Sequence, residues 1–353
     1  MGGPIFIVGT MGSGSTLLRL MLDSHEGISI PQETGFMRAY NAQQFVPLKW
    51  SGRNWARRMG WSREELDAEL AAFYRRIFTR HMEQQGKHRW GDKTPLHTWH
   101  VDGLARLFPD AVFVGIARHP GGAVGSNMGR FGHSYRRASI HVDRYAREIA
   151  RQAANHKDRF VLVRYEELVL SPEAVLRELL DWLGEPWSDR VLDHHTVQTG
   201  RGGRVVVEGG NRIDEAIDVS RVDKWHRRMT DQHKALLAER FTRLAEFYGY
   251  AIDDPAVLVP LGENGSPLIA GERIDARIDE FEDLGLRTQP EIPLAERFYH
   301  PGRMQLHEVP ETPPPKPPPP PEPSLPVRVW HVVPRRTRRR LAPLVQRARA
   351  PRR

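Results

Sequence analysis

Two glycines and two hydroxyl residues near the N-terminus are spaced like a phosphate-binding loop. Gly9 and Gly14 fit the pattern G-x-x-x-x-G, and Thr16 takes the position of its hydroxyl residue. Backbone N–H groups in such a loop, with the positive end of the next helix, hold phosphate oxygens. Ser15 replaces the lysine that would reach the β- and γ-phosphates of a nucleoside triphosphate. The pattern therefore predicts a phosphate site and leaves its ligand open.

Two flanking segments are suited to hold this loop in place. Residues 5–8 form a short apolar run, typical of a strand buried on both faces, and helical character follows from Leu17. The order strand, loop, helix points the N–H groups of the loop at one place, where a phosphate can bind. The alternative is an ordinary turn between a strand and a helix.

Residues 1–255 alternate strand-like runs with helical stretches. Further buried strands are predicted at 111–117 and 160–165. Alternation of this kind is typical of an α/β fold, with a mostly parallel, P-loop-like central sheet flanked by helices. The predicted helices cover residues 63–85, 98–107, 138–156, 172–183 and 231–248.

The composition changes three times after residue 255. Residues 256–310 have scattered Pro and Gly, and we expect an extension that wraps the body or is partly disordered. Residues 311–326 form a Pro-rich linker, because nine of the eleven residues from 313 to 323 are proline and favour polyproline II. Residues 327–353 form a basic tail with ten arginines and no Asp or Glu, which we predict to be disordered.

Composition limits the classes of function. The ten arginines of the tail exceed the net charge of +8, so residues 1–326 carry −2 and no nucleic-acid partner is indicated for the body. The tail itself could contact an anionic membrane or nucleic acid. The absence of cysteine excludes disulfides, thiolate metal sites and a cysteine nucleophile. Without a signal peptide or a run of 18 apolar residues, we expect a cytoplasmic protein.

Four segments combine these elements with further candidate phosphate ligands: IFIVGTMGSGSTLLRLMLDSH, VFVGIARHPGGAVGSNM, LVRYEELVLSPEAVLRELLDWLG and VSRVDKWHRRMT. In this order and at these separations they resemble the sulfotransferase family, over roughly residues 4–250. The loop and the base motif are similar to bacterial and protein-tyrosine sulfotransferases in particular. The resemblance implies transfer of a sulfuryl group from 3′-phosphoadenosine 5′-phosphosulfate (PAPS) to an acceptor hydroxyl or amine, without a metal ion.

The resemblance implies two phosphate sites for this donor. The 3′-phosphate would bind Ser126 and Arg118, whose guanidinium forms a planar fork at a strand end. The alternative makes Arg118 a strand-end salt bridge and Ser126 a turn residue. The 5′-phosphosulfate would bind the loop residues Gly12, Ser13, Gly14, Ser15 and Thr16.

Two further segments are implied to contact the nucleotide. Tyr165 would meet the adenine, unless its ring packs on the core. Ser220, Lys224 and Trp225 belong to a late segment that would close over the donor. A surface loop anchored by one tryptophan is the alternative for that segment.

One position departs from the family pattern. Gly12 stands where relatives usually have Lys or Arg, whose charge helps neutralise the leaving phosphate. Lys93, in the segment WGDKTP, is our candidate replacement, because the related motif places a lysine near the transferring group. Its alternative is a solvated surface lysine. Arg19, in the first helix, is a second candidate.

A general base must accept the proton of the attacking acceptor. Glu33, in the segment ISIPQETGFM, resembles the glutamate that protein-tyrosine and some bacterial sulfotransferases use. Its alternative is a loop carboxylate that caps a helix near Thr34. Cytosolic animal enzymes use a histidine instead, for which His97 and His100 are the nearest candidates. We therefore expect Glu33 and Lys93 to be the catalytic residues.

Two other functions stay possible at this level. A non-catalytic module that binds adenosine bisphosphate would keep the fold while Gly12 abolishes transfer. A nucleotide-dependent kinase is disfavoured by Ser15 and by the lack of an evident magnesium site. The acceptor could be a small molecule, a carbohydrate, a lipid or a peptide, and the oligomeric state is open. We expect residues 35–85 and 128–145 to form the acceptor pocket, and their aromatic residues are Phe36, Tyr40, Trp50, Trp55, Trp61, Phe73, Tyr74, Phe131 and Tyr135.

Overall fold

A six-stranded sheet forms the centre of the computed structural model, which describes residues 2–44, 59–200 and 216–292. Its strands are β1 (Ile5–Gly9), β2 (Ile28–Ser29), β3 (Arg89–Lys93), β4 (Val112–Ala117), β5 (Phe160–Arg164) and β6 (Leu268–Ala270). Their order across the sheet is β2-β3-β1-β4-β5-β6. The first five strands are parallel, and β6 runs antiparallel to β5. The prediction of a mostly parallel sheet is confirmed.

Helices flank this sheet, as predicted. In chain order they are α1 (Ser15–Ser24), α2 (Phe36–Gln44), α3 (Arg63–Gln84), α4 (Val101–Leu107), α5 (Pro120–Phe131), α6 (Tyr135–Asn155), α7 (Tyr165–Leu170), α8 (Pro172–Leu183), α9 (His194–Gly200), α10 (Asp231–Phe247) and α11 (Gly271–Glu280). Short 3₁₀ helices at Pro95–His100, Val219–Arg221 and Lys224–Arg227 also matter for the site. The helix predicted over 98–107 is divided, since its first residues belong to the 3₁₀ helix. Within the described ranges no helix is long and apolar enough to cross a membrane.

The sheet separates two hydrophobic cores. Phe6 and Val8 of β1 pack into one of them, and Ile5 and Ile7 pack into the other. Successive side chains of a strand point to opposite faces, so a continuous apolar run fills both cores. This explains why residues 5–8 are apolar without alternation. The polar residues of the site therefore lie at the ends of the strands, where loops connect the strands to the helices.

Two strands escaped the sequence analysis because they lack a long apolar run. The strand β3, with the sequence RWGDK, is polar and yet fully buried. Its charged side chains have internal partners: Arg89 donates to the carbonyl of Gly3 at 2.8 Å, and Lys93 contacts Glu33. The strand β6 lies in the segment for which we expected only an extension. Residues 293–353, which include the Pro-rich linker and the basic tail, lie outside the described ranges, so those predictions stay predictions.

Candidate active site

The glycine loop joins β1 to α1 in a conformation that favours glycine. Gly12 and Gly14 have φ angles of +84° and +97°. A Cβ at Gly12 would lie 2.9 Å from the hydroxyl of Ser126, and a Cβ at Gly14 would lie 2.2 Å from the ring of Tyr165. The backbone conformation and the close neighbours therefore both disfavour a long basic side chain at Gly12.

The loop lies at the start of α1 and has unused polar groups. The hydroxyl of Ser13 is fully buried and has no hydrogen-bond partner among the described residues. Thr98, from the 3₁₀ helix after β3, holds the entry of the loop, because its hydroxyl bonds both the N–H and the carbonyl of Gly9. No acidic side chain occupies the first turn of α1, so its positive end stays available to an anion. These features suit a phosphate.

Lys93 connects the loop to Glu33. Its side chain is fully buried at the end of β3, which excludes the alternative of a solvated surface lysine. Its ammonium group lies 3.3 Å from the hydroxyl of Thr16 and contacts the carboxylate of Glu33. The side chain of Glu33 is 43% exposed. Because parallel strands end at the same edge, the segments at the ends of β1, β2 and β3 bring one hydroxyl, one accessible carboxylate and one cation together.

The three residues assigned to the 3′-phosphate and to adenine by resemblance also lie at this edge. Arg118 follows β4 and donates to the carbonyl of Gly12 at 2.8 Å and to that of Arg221 at 3.0 Å. Its guanidinium lies 4.2 Å from the centre of the Tyr165 ring. Ser126, on α5, faces Gly12. Arg118 thus links the loop to the late segment.

The late segment is divided between buried and exposed residues. Trp225 is buried and stacks on His119, with ring centroids 5.2 Å apart. Lys224 lines the same cavity as the loop. Ser220 is exposed and does not line that cavity, and its hydroxyl donates to the carboxylate of Asp218 at 2.6 Å. This bond holds the pKa of Asp218 below its usual range.

A cavity of about 230 Å³ lies between the loop, α5 and the late segment. Its basic lining residues are Arg118, Arg130, Arg221, Lys224 and Arg228. Among the described residues that line it, Asp218 is the one carboxylate. Apolar side chains form part of the wall, namely Leu17, Leu20, Val169 and Ile217. A ligand with several negative charges and one flat apolar part fits this lining.

Arg130 was missed by the sequence analysis. It lies on the last turn of α5, and its Nε is buried without a hydrogen-bond partner among the described residues. Burial and the nearby charges of Arg118 and Arg221 lower the pKa of Arg130. Glu33 acts on the same guanidinium in the opposite direction, so Arg130 lies within electrostatic reach of both the cavity and Glu33. A basic residue one helical turn beyond Ser126 was the available signal.

The glycines of α5 are a second signal that went unused. Gly121 and Gly125 face Trp225, where a Cβ would lie 2.6 Å and 2.9 Å from its atoms. Gly122 faces Arg118 in the same way, at 2.6 Å from its Nε. The segment HPGGAVGSNM therefore combines Ser126, a predicted phosphate ligand, with the space that Arg118 and Trp225 need.

The other candidates for the base and for the loop cation lie elsewhere. His97 and His100 are both only 1% exposed. Burial lowers the pKa of His97 well below its usual range, and its ring packs against Phe36. The guanidinium of Arg19 donates to the carbonyl of Ile30 at 3.2 Å. Glu33 and Lys93 are therefore the better placed pair.

The predicted acceptor aromatics that the structure describes fall into two groups. Phe36, Tyr40 and Tyr74 belong to the hydrophobic core, and Tyr135 packs against it. Trp50 and Trp55 lie outside the described residues. The remaining aromatics are exposed, namely Trp61, Phe73 and Phe131.

No cluster of three His, Asp or Glu that could hold a metal ion occurs in residues 2–44, 59–200 and 216–292.

Comparisons with known proteins agree on one family. The model of the sulfotransferase family matches residues 4–189. Protein-tyrosine sulfotransferase 1 of Danio rerio is 31% identical over 275 residues, which cover 72% of this chain and 76% of that protein. Protein-tyrosine sulfotransferase 1 of Mus musculus is 30% identical over 294 residues, with 76% of each covered. The solved sulfotransferase domain from the curacin biosynthetic pathway superposes with a TM-score of 0.52 at 22% identity, covering 71% of this chain and 99% of that domain, and bears on the fold alone.

Proposed function

The chain belongs to the sulfotransferase family, and from this we propose that it transfers a sulfuryl group from PAPS to a hydroxyl group of a peptide. The observation that supports this best is the position of Lys93. Its buried ammonium group contacts both the phosphate loop, through Thr16, and the carboxylate of Glu33. Donor site and base are thereby adjacent.

The cavity suits PAPS as the donor. The loop amides and the hydroxyl of Ser13 would hold the 5′-phosphosulfate, which needs no lysine in the position of Ser15. Arg118 and Ser126 would hold the 3′-phosphate, and Arg130 would add a further cation. The apolar wall, with Leu17 and Val169, would cover the adenine. Two separate groups of donors on one cavity match a ligand with two separate phosphates.

The reaction moves one proton and one sulfuryl group. The acceptor oxygen attacks sulfur in line with the phosphate, and Glu33 accepts the acceptor proton as the new S–O bond forms. The bond between sulfur and the phosphate oxygen breaks, so adenosine 3′,5′-bisphosphate leaves with an added negative charge. During this step Glu33 loses its negative charge while the leaving phosphate gains one. The ammonium group of Lys93 is placed to stabilise the carboxylate before the proton transfer and the phosphate after it. This assignment explains how Gly12 can lack a basic side chain.

We propose a tyrosine of a peptide as the acceptor, because the relatives named above are protein-tyrosine sulfotransferases. The charge distribution supports a peptide with acidic residues. Arg130, Arg136, Arg137 and Arg228 form a basic corner at the junction of α5 and α6. None of the four pairs with a carboxylate among the described residues, whereas Arg144 and Arg147, further along α6, are paired.

Substitution of Glu33 by Gln tests the proposed function. The change keeps the size of the side chain and removes its ability to take a full proton, so we expect turnover to fall about 10²–10⁴-fold. The affinity for adenosine 3′,5′-bisphosphate should hardly change. Turnover would be followed with labelled PAPS and a peptide containing tyrosine, with its phenylalanine analogue as the negative control.

A matched control is available at Glu65. It is the last residue of a capping box at the start of α3, where Gln serves equally well, so Glu65→Gln should leave turnover unchanged. Tight binding of the bisphosphate by the native chain without any labelled product would instead favour a non-catalytic module. Normal turnover in folded Glu33→Gln would remove Glu33 from the reaction.

A further inference from the structure

A buried carboxylate lies directly below the segment that carries Glu33. Asp92 is fully buried on β3. Its Oδ1 accepts a hydrogen bond from the hydroxyl of Thr34 at 2.8 Å, and its Oδ2 accepts one from the hydroxyl of Thr94 at 3.0 Å. One carboxylate thus binds two hydroxyl groups, and the first belongs to the residue next to Glu33.

The two hydroxyl oxygens bind the backbone where α2 begins. Thr94 Oγ1 accepts the N–H of Gly35 at 3.2 Å, and Thr34 Oγ1 accepts the N–H of Phe36 at 3.4 Å. A hydroxyl group has one proton and two lone pairs. When it donates its hydrogen bond to Asp92, its lone pairs can therefore accept hydrogen bonds from backbone N–H groups. An ionised carboxylate only accepts, and it therefore orients both hydroxyl groups at once.

We propose that Asp92 is a positioning residue for Glu33. Acting through Thr34 and Thr94, it fixes the turn between Glu33 and α2 and so directs the carboxylate of Glu33 toward Lys93 and the acceptor. This inference rests on the proposed role of Glu33 as the general base. It gives a reason for a buried ionisable residue at a place where a polar amide of the same size would cost less to bury.

The surroundings of Asp92 show what its protonation would change. Burial raises the pKa of Asp92 to about 6, although the hydrogen bonds from Thr34 and Thr94 and the charge of Lys93 act in the other direction. His97 Nδ1, from the 3₁₀ helix, lies 3.4 Å from Oδ2, and burial keeps that ring neutral. A protonated Asp92 carries a donor on one oxygen and can no longer accept both hydroxyl protons. Turnover should therefore fall as the pH falls through about 6.

Four variants test this role. Asp92→Asn, Thr34→Val and Thr94→Val each break the arrangement, and we expect kcat to fall about 10²-fold because the base is displaced. The affinity for adenosine 3′,5′-bisphosphate should stay unchanged, since none of these side chains lines the donor cavity. Thr94→Ser keeps the hydroxyl group and should retain kcat. In Asp92→Asn the decrease of kcat near pH 6 should also disappear.

Control variants separate this inference from the fold and from the proposed function. Thr34 is exposed, so its substitution by Val does not threaten the core, and Thr242→Val on α10 removes a hydroxyl bond to the carbonyl of Ala238 remote from the site. Equal kcat in Thr34→Val, Thr94→Val and the native chain would overturn the positioning role, even if Asp92→Asn were impaired. Glu33→Gln separates this inference from the proposed function. If turnover is lost in Glu33→Gln and retained in Asp92→Asn, Thr34→Val and Thr94→Val, only the positioning role of Asp92 is refuted. If turnover is retained in Glu33→Gln, the role of Glu33 as the general base is refuted.

Discussion

Arg118 offers the sharpest test of the donor site. The substitution Arg118→Lys keeps the positive charge near Glu166, a buried carboxylate whose oxygen lies 3.9 Å from the Arg118 Nε. It removes the planar fork that bonds the carbonyls of Gly12 and Arg221. One ammonium group cannot reach both carbonyls and a phosphate, so the variant should lose at least one charge-assisted hydrogen bond to the 3′-phosphate.

The expected loss follows from the strength of that bond. A hydrogen bond to a charged group contributes about 1.5–3 kcal/mol, which corresponds to a weakening of binding of about 13–150-fold. The loss should apply to adenosine 3′,5′-bisphosphate, while adenosine 5′-phosphate, which lacks the second phosphate, should bind almost as before. Ser126→Ala should show the same selectivity with a loss in the same range, because its hydroxyl would also donate to the charged phosphate.

Titration calorimetry with the two nucleotides measures both effects. Arg177→Lys is the matched control, because Arg177 also lies over an aromatic ring, that of Trp187 at 3.9 Å, but remote from the cavity. This control should bind both nucleotides normally. An equal loss of affinity for both nucleotides in Arg118→Lys would refute the assignment of Arg118 to the 3′-phosphate.

Three further predictions concern the loop, one histidine and the tail. Gly12→Arg should weaken binding of the bisphosphate and, through backbone strain alone, lower the free energy of unfolding by about 1–2 kcal/mol. The control is Gly86→Arg, at a position with φ +67° and no atom within 4 Å of the added Cβ, which should lower the stability without affecting binding. Denaturant unfolding and calorimetry measure both, and higher turnover in Gly12→Arg at native stability would contradict the steric account. Burial lowers the pKa of His119 to about 4, compared with about 6.5 in the unfolded chain. The unfolded chain therefore binds this proton at a higher pH than the folded chain does, and the stability of the fold should decrease as the pH falls from about 6.5 to about 4. Relative to His119→Asn, the native chain should lose about 2 kcal/mol between pH 7 and pH 5 in urea unfolding, and parallel pH curves would argue against this. Truncation after residue 310 should leave turnover unchanged and abolish any salt-sensitive binding to acidic vesicles in sedimentation assays, and a loss of donor affinity would show that the tail is needed.

Local signals were sufficient for the parts of the site that depend on backbone geometry. The spacing of Gly9, Gly14 and Thr16 predicted the loop, because a left-handed turn before a helix requires glycine at fixed positions. The apolar runs predicted β1, β4 and β5, because central parallel strands are buried on both faces. With these strands in one parallel sheet, their following loops had to meet at one edge.

The sequence by itself thus determined the fold class, the loop and the family resemblance, since all three depend on residues close together along the chain. The tertiary structure alone decided which charged residues are buried and what they contact. Nothing in the segment WGDKTP distinguishes a surface loop from the buried strand β3, because the partners of Asp92 and Lys93, Thr34 and Glu33, lie about sixty residues away. The same holds for Arg130, whose place between the cavity and Glu33 depends on the packing of α5 against the loop. Long-range pairs of this kind set the electrostatics of the site, and only the folded chain brings them within reach of each other.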